Sequence, residues 1–181
     1  MSAVRTYLDW NATEPLRPEA RDVLMVALDA IGNPSSVHAE GRRARSLIET
    51  ARGDVAALVG AKAENVYFTS GATEGNAWVL HAGWDTILTA DLEHDSVLRS
   101  AEASSARVVR LPVRADGTVA PDSVEKALLS RAPSGRTLVA LQLANNETGV
   151  VQPVAEVAAI AKAHGAHVLT DAVQAAWRIA V

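Results

Sequence analysis

Between residues 66 and 170, runs of strand length rich in Val, Leu and Thr alternate with stretches of helical spacing, and polar residues follow at once. No other feature limits the fold as sharply. Strands separated by helices pair as parallel neighbours, with the connecting helices laid on both faces of the sheet. Val66–Thr69 reads as a short strand running into a helix that ends near His81. Thr86–Thr89, Arg107–Leu111, Thr137–Leu143 and His167–Thr170 read as further strands, and Asp95–Ser105 as a helix. Pro121 opens a helix to about Ser130, and Pro153 opens another to His164, since a first-turn proline lacks only an N–H that would be unpaired anyway. Gly165 caps that helix, and Asp116-Gly117 marks a turn. Ahead of this core, residues 17–31 and 38–60 are helical by apolar spacing, joined by the loop Gly32-Asn33-Pro34-Ser35-Ser36. The expected class is α/β, with a mostly parallel sheet and helices on both faces.

The chain can bury a full core: 49% of its 181 residues are hydrophobic, against 21% charged. A net charge of −4 gives no electrostatic footprint for nucleic acid. Arg42, Arg43, Arg45 and Arg52 cluster on one predicted helix, most simply as a solvated face. There is no cysteine, so these residues supply neither a disulfide, a thiolate ligand nor a cysteine nucleophile. No metal site is expected. No apolar run reaches the roughly 20 residues of a membrane span, and Met1 to Asp9 lacks a signal pattern. The expectation is a cytoplasmic protein with no nucleic-acid and no membrane partner.

Ligands of parallel sheets bind beyond the carboxyl ends of the strands, so the loops after Thr69, Ala90, Leu143 and Thr170 carry the candidates. In Thr69-Ser70-Gly71-Ala72-Thr73-Glu74 a strand leads in and a helix leads out. The free N–H groups and the helix dipole there suit an anion, and small residues let it approach. The same residues also make an ordinary N-cap, with Ser70 or Thr73 capping. The loop is neither a Walker loop nor a Gly-x-Gly-x-x-Gly fingerprint. Glu93-His94 follows the next strand; a histidine there either stacks on a planar ring and moves protons, or is structural. Asn145-Asn146-Glu147-Thr148-Gly149 is unusually polar for a turn after an apolar strand. Asp171, three residues before Gln174, wants a cationic partner: a protonated ring nitrogen or a nearby arginine.

Taken in order, the motifs say more than each does alone. Leu8-Asp9 with Asn11-Ala12-Thr13, Gly32-Asn33-Pro34-Ser35-Ser36-x-His38 and Phe68-Thr69-Ser70-Gly71-Ala72-Thr73-Glu74 come first. Glu93-His94, Asn145-Asn146-Glu147-Thr148-Gly149-Val150-x-Gln152-Pro153 and Asp171-Ala172-Val173-Gln174 follow. Together they resemble the class V aminotransferase group and, within it, the cysteine desulfurases, from about Tyr7 to Ile179. The resemblance implies fold type I of the pyridoxal-phosphate (PLP) enzymes. Residues 1–15 would lie on the side of a small domain, and 16–181 would form part of the large, PLP-binding domain. It also implies a homodimer, an amino-acid substrate (cysteine), and a sulfur-acceptor protein for the whole enzyme. By the same resemblance Ala72 and Thr73 hold the cofactor phosphate, while His94 stacks on the ring and carries protons. Asp171 pairs with the ring nitrogen, Gln174 donates to the ring's phenolic oxygen, and Asn146 sits beside cofactor and substrate.

The resemblance also sets limits. The family's Schiff-base lysine lies in a Ser-x-His-Lys motif well beyond Asp-x-x-Gln, whereas this sequence ends seven residues past Gln174. Lys62, Lys126 and Lys162 fall in or beside predicted helices, away from the strand-end loops, so covalent attachment of PLP is not expected in this segment. The family's sulfur-accepting cysteine loop comes later still. Trp10, Asn11, Gly75 and Asp95 depart from the usual residues, and Gly75 to Glu93 is a short stretch, which loosens the assignment of cysteine as substrate. Three readings stand. The chain is the N-terminal portion of a cysteine desulfurase-like enzyme, a non-catalytic truncated module of that fold, or part of another class V enzyme such as a selenocysteine lyase or aminotransferase.

Overall fold

The computed structural model describes residues 5–130 and 135–179, so the first four residues of the 1–15 segment and the last two of the chain lie outside the described residues. The chain forms two compact units, one ending at Phe68 and one beginning at Thr69.

The first unit holds α1 (Pro18–Leu28), α2 (Ala39–Leu58) and a 3-10 turn at Ala63–Asn65. A proline opens α1, as its fixed φ favours. α2 carries Gly41 inside its first turns, and the preceding loop explains why. A Cβ there would stand 2.4 Å from the Ser36 carbonyl oxygen and 2.7 Å from that of Asn33. Only glycine lets the loop lie on the helix this closely. Arg42, Arg43 and Arg45 are exposed, as expected of a solvated face. Arg52 is not: it is half-buried, stacks over Phe68 at 5.1 Å and donates to the Val66 carbonyl. The strand expected at Val66–Thr69 is absent. Tyr67 and Phe68 are exposed, and none of the described strands pairs with this segment, which leaves its β-prone side chains without a ladder.

The second unit is the expected α/β sheet. Four strands, β1 (Thr86–Thr89), β2 (Arg107–Arg110), β3 (Thr137–Ala140) and β4 (His167–Leu169), run parallel in the order β2-β1-β3-β4. Helices α3 (Ala72–Leu80), α4 (Asp95–Ala103), α5 (Pro121–Leu129) and α6 (Val154–Ala163) cover it. Alternating strand residues feed two cores. Leu88, Ala90, Val139 and Leu141 pack with Val124 and Leu128 of α5 and Val157 and Ala161 of α6. Ile87, Leu138 and Ala140 pack with Leu80 of α3 and Val97 and Ala101 of α4. Buried on both faces, these strands read as continuous apolar runs rather than alternating ones. The regular strand β3 ends at Ala140, short of the expected Leu143, yet the backbone stays tied to the chain after β4: Leu141 N donates to the Leu169 carbonyl at 3.0 Å and Leu143 N to the Asp171 carbonyl at 2.9 Å. The Asp116-Gly117 turn is present, and Gln152 pins it. The Gln152 amide accepts from Val119 N and donates to the Gly117 carbonyl, each at 2.8 Å.

Candidate functional site

Strand order decides where a ligand can sit. β1 passes its chain to β2 on one side, while β3 passes its chain to β4 on the other. The loops after these neighbouring strands therefore part, leaving a crevice at the carboxyl end of the sheet. An open cleft of about 490 Å3 lies there, walled by residues 91–95 and 145–148. His94 lines one wall and Asn146 the other.

The walls are laced together. Glu93 is buried, and its Oε1 accepts the Gln142 N–H at 2.8 Å. Gln142 Nε2 donates to the Leu92 carbonyl at 2.6 Å, and Asn145 Nδ2 donates to the same oxygen at 2.9 Å. The Asn145 side-chain oxygen Oδ1 accepts from Glu147 N at 2.9 Å, Thr148 N at 2.8 Å and Thr148 Oγ1 at 3.1 Å. The polarity seen in the sequence at 145–149 thus divides between two tasks. Buried Asn145 shapes the turn, and half-buried Asn146 lines the cleft, donating to Glu147 Oε1 at 2.9 Å. Burial pushes the Glu93 carboxyl up to about 8; the Gln142 N–H opposes this in part and the charge of Asp171 adds to it. Among the described residues its Oε2 meets no hydrogen-bond partner.

His94 is the N-cap of α4. Its Nδ1 accepts the Ser96 N–H at 3.1 Å and lies 2.9 Å from Ser96 Oγ. Asn76, buried in α3, uses both protons of its amide: Nδ2 is 3.0 Å from Ser96 Oγ and 3.0 Å from Asp171 Oδ2. The other Asp171 oxygen accepts the Val173 N–H at 3.0 Å. Asp171, Asn76, Ser96 and His94 are consequently one line of hydrogen bonds, drawn from α3, α4 and the loop after β4. The sequence motifs pass over Asn76 and Ser96. Their one local signal is an amide set in the apolar stretch Ala77-Trp78-Val79-Leu80, where an unbonded polar group is costly.

The loop before α3 departs from the expected capping. Gly71 is the N-cap, and neither Ser70 nor Thr73 supplies a side-chain cap. Glu74 turns back instead, accepting from Ser70 N at 2.7 Å and Ser70 Oγ at 2.6 Å, bonds that hold its carboxyl below the usual range. The first-turn N–H groups at Ala72 and Thr73 have no intrahelical partner. Space beside them is open, since a Cβ on Gly71 would meet nothing within 4 Å. Ala72 and Thr73 are exposed, and Gln174 is half-buried in the turn after Asp171. These three residues stand outside the walls of the cleft, as does Asp171, which is linked to His94 through Asn76 and Ser96. Lys62 precedes the 3-10 turn of the first unit, while Lys126 lies in the last turn of α5 and Lys162 in the last turn of α6. Among the described residues no cluster of His, Cys, Asp or Glu suits a metal ion, and no helix is long and apolar enough to cross a membrane.

An open parallel sheet with a polar cleft at its switch point defines a class of ligand-binding α/β proteins. The sequence profile of the Aminotransferase class-V family matches residues 6–181, and the chain belongs to that family. It is 38% identical to the cysteine desulfurase IscS of Dictyoglomus turgidum, an alignment covering 97% of this chain and 46% of that protein. It is 36% identical to the selenocysteine lyase of Xenopus tropicalis, covering 98% of this chain and 48% of the relative. The NifS-like protein of Rickettsia africae superposes with a TM-score of 0.88 at 33% identity, over 97% of this chain and 49% of that one. The chain matches the N-terminal part of such proteins and spans about half the length of the curated relatives. The family is PLP-dependent.

Proposed function

We propose that this chain is the cofactor-holding N-terminal portion of a PLP-dependent enzyme that takes sulfur from cysteine and leaves alanine. The observation that carries the reading is the line of hydrogen bonds from Asp171 to His94, beside the cleft at the carboxyl end of the sheet. The residues present fit the cofactor's chemistry. An uncapped helix N-terminus with open space beside it suits a phosphate, with Ala72 and Thr73 supplying N–H groups and a hydroxyl. Among the described residues Asp171 has one bond on each oxygen, which leaves lone pairs for a cationic nitrogen.

PLP supplies an electron sink for the substrate's Cα when bound. The chain's own residues bind and orient. Asp171 would face the ring nitrogen and favour its protonated form, His94 would stand beside the ring with a proton to hold or move at Nε2, and Gln174 would face the ring oxygen. Asn146, on the opposite wall of the cleft from His94, meets the amino-acid substrate. The 181 residues contain no cysteine, so the thiol that accepts sulfur belongs to another segment or another protein. The whole enzyme acts as a homodimer and passes sulfur to an acceptor protein; exposed Val23, Leu24, Val26 and Leu28 on α1 support association. Similarity to a selenocysteine lyase favours selenocysteine as the second substrate to test.

Titrating the purified chain with PLP, read by cofactor absorbance, tests the reading. Binding should saturate, and Asp171→Asn should weaken it about tenfold to a hundredfold, the worth of a hydrogen bond to a charged group. Binding that never saturates, or that ignores Asp171→Asn, overturns the assignment.

A further inference from the structure

We propose that Asn76 is a positioning residue which, through Ser96, couples the Asp171 carboxylate to the His94 imidazole and keeps the imidazole proton on Nε2. The proposal rests on the reading of Asp171 and His94 as the groups that face the cofactor. Its warrant is the direction of the hydrogen bonds. A carboxylate only accepts, so Asn76 must turn its NH2 group, not its carbonyl, toward Asp171 Oδ2 at 3.0 Å. The second proton of that NH2 then points at Ser96 Oγ, also at 3.0 Å. With its oxygen accepting from Asn76, the Ser96 hydroxyl turns its own proton to His94 Nδ1 at 2.9 Å. The Ser96 backbone N–H, 3.1 Å from the same nitrogen, can only donate.

Two donors thus converge on Nδ1, and the neutral ring carries its proton on Nε2. The opposite tautomer would set an N–H against an N–H. The Ser96 N–H is a fixed donor to Nδ1, and the side-chain line adds a second whose direction is set at its Asp171 end, two side chains away from the ring. Asn76 and Ser96 are both buried, so water is kept from the bond between them, the middle of the line. A role limited to packing would leave the tautomer indifferent to residue 76.

The test is 15N NMR of the ring nitrogens of His94 in the histidine-labelled chain without cofactor, with assignment by His94→Gln. In the unaltered chain Nδ1 should give the bare-nitrogen signal and Nε2 the protonated one. Asn76→Ala removes the donor to Ser96 Oγ, so the hydroxyl becomes free to accept from an Nδ1–H. The Nδ1–H population should rise about fivefold, the equilibrium worth of one neutral hydrogen bond. Ser96→Ala should move the tautomer in the same direction, Ser96→Thr should restore it, and Asn76→Ala should add nothing in the Ser96→Ala background. An unchanged tautomer in folded Asn76→Ala or Ser96→Ala protein overturns the proposal. If Asn76→Ala does not fold, the Ser96→Ala and Ser96→Thr pair decides alone. PLP titration is read separately, so failure of cofactor binding and failure of the coupling give distinct results.

Discussion

At the scale of single residues, Glu93 is the group most out of its ordinary state. A carboxyl raised by burial from 4.5 to about 8 is mostly protonated at neutral pH. Its folded-state value lies above the unfolded one, so the stability it contributes is full below pH 4.5 and is lost as pH rises through about 8. Across that window the loss runs at roughly 1.4 kcal/mol per pH unit. Glu93→Gln keeps an oxygen for the Gln142 N–H but cannot ionise. Urea unfolding at pH 5 and pH 8 should therefore show the unaltered chain losing ground to the variant at the higher pH. A gap that stays constant with pH would count against the buried acid.

Among elements, α2 offers a paired experiment. Gly41 and Gly53 both sit inside it, but a Cβ at Gly41 meets two backbone carbonyls below 3.0 Å, whereas one at Gly53 meets nothing within 4 Å. Relief of glycine in a helix is worth about 1 kcal/mol, and overpacking against backbone costs roughly 1–3 kcal/mol. Gly53→Ala should raise the melting temperature and Gly41→Ala should lower it; equal shifts of one sign would contradict the close packing of the 33–36 loop. How far such elements can be read from sequence depends on how local their causes are. Pro121, Pro153 and Gly165 act within one turn, and α5 and α6 start and stop beside them. Val66–Thr69 has the side chains of a strand, but propensity describes a surface that fits a sheet and supplies no neighbour to pair with. The bonds of Asn76 cross 20 and 95 residues of sequence, so its surroundings show an amide beside an apolar stretch but not the partners it finds. Asp171 and His94 stand out as candidates by their places after strands, and more sharply as members of an ordered set of motifs.

For the whole molecule, the chemistry proposed above needs more than these residues hold. Incubated with PLP and cysteine, the 181-residue chain should bind the cofactor yet form alanine no faster than PLP alone, measured by amino-acid analysis; sustained turnover would show that Lys62, Lys126 or Lys162 had been recruited. The cleft itself should be the best-protected part of the chain. Glu93, Gln142 and Asn145 join its two walls, and the Leu92 carbonyl receives a bond from each of the two amides. The Gln142 amide proton should accordingly exchange with solvent at the rate of global unfolding, whereas exposed α1 should exchange far sooner. Early exchange at Gln142 would show that the walls part. Walls riveted to a shared acceptor should yield little to a guest, so such a cleft would act as a mould, admitting what already fits.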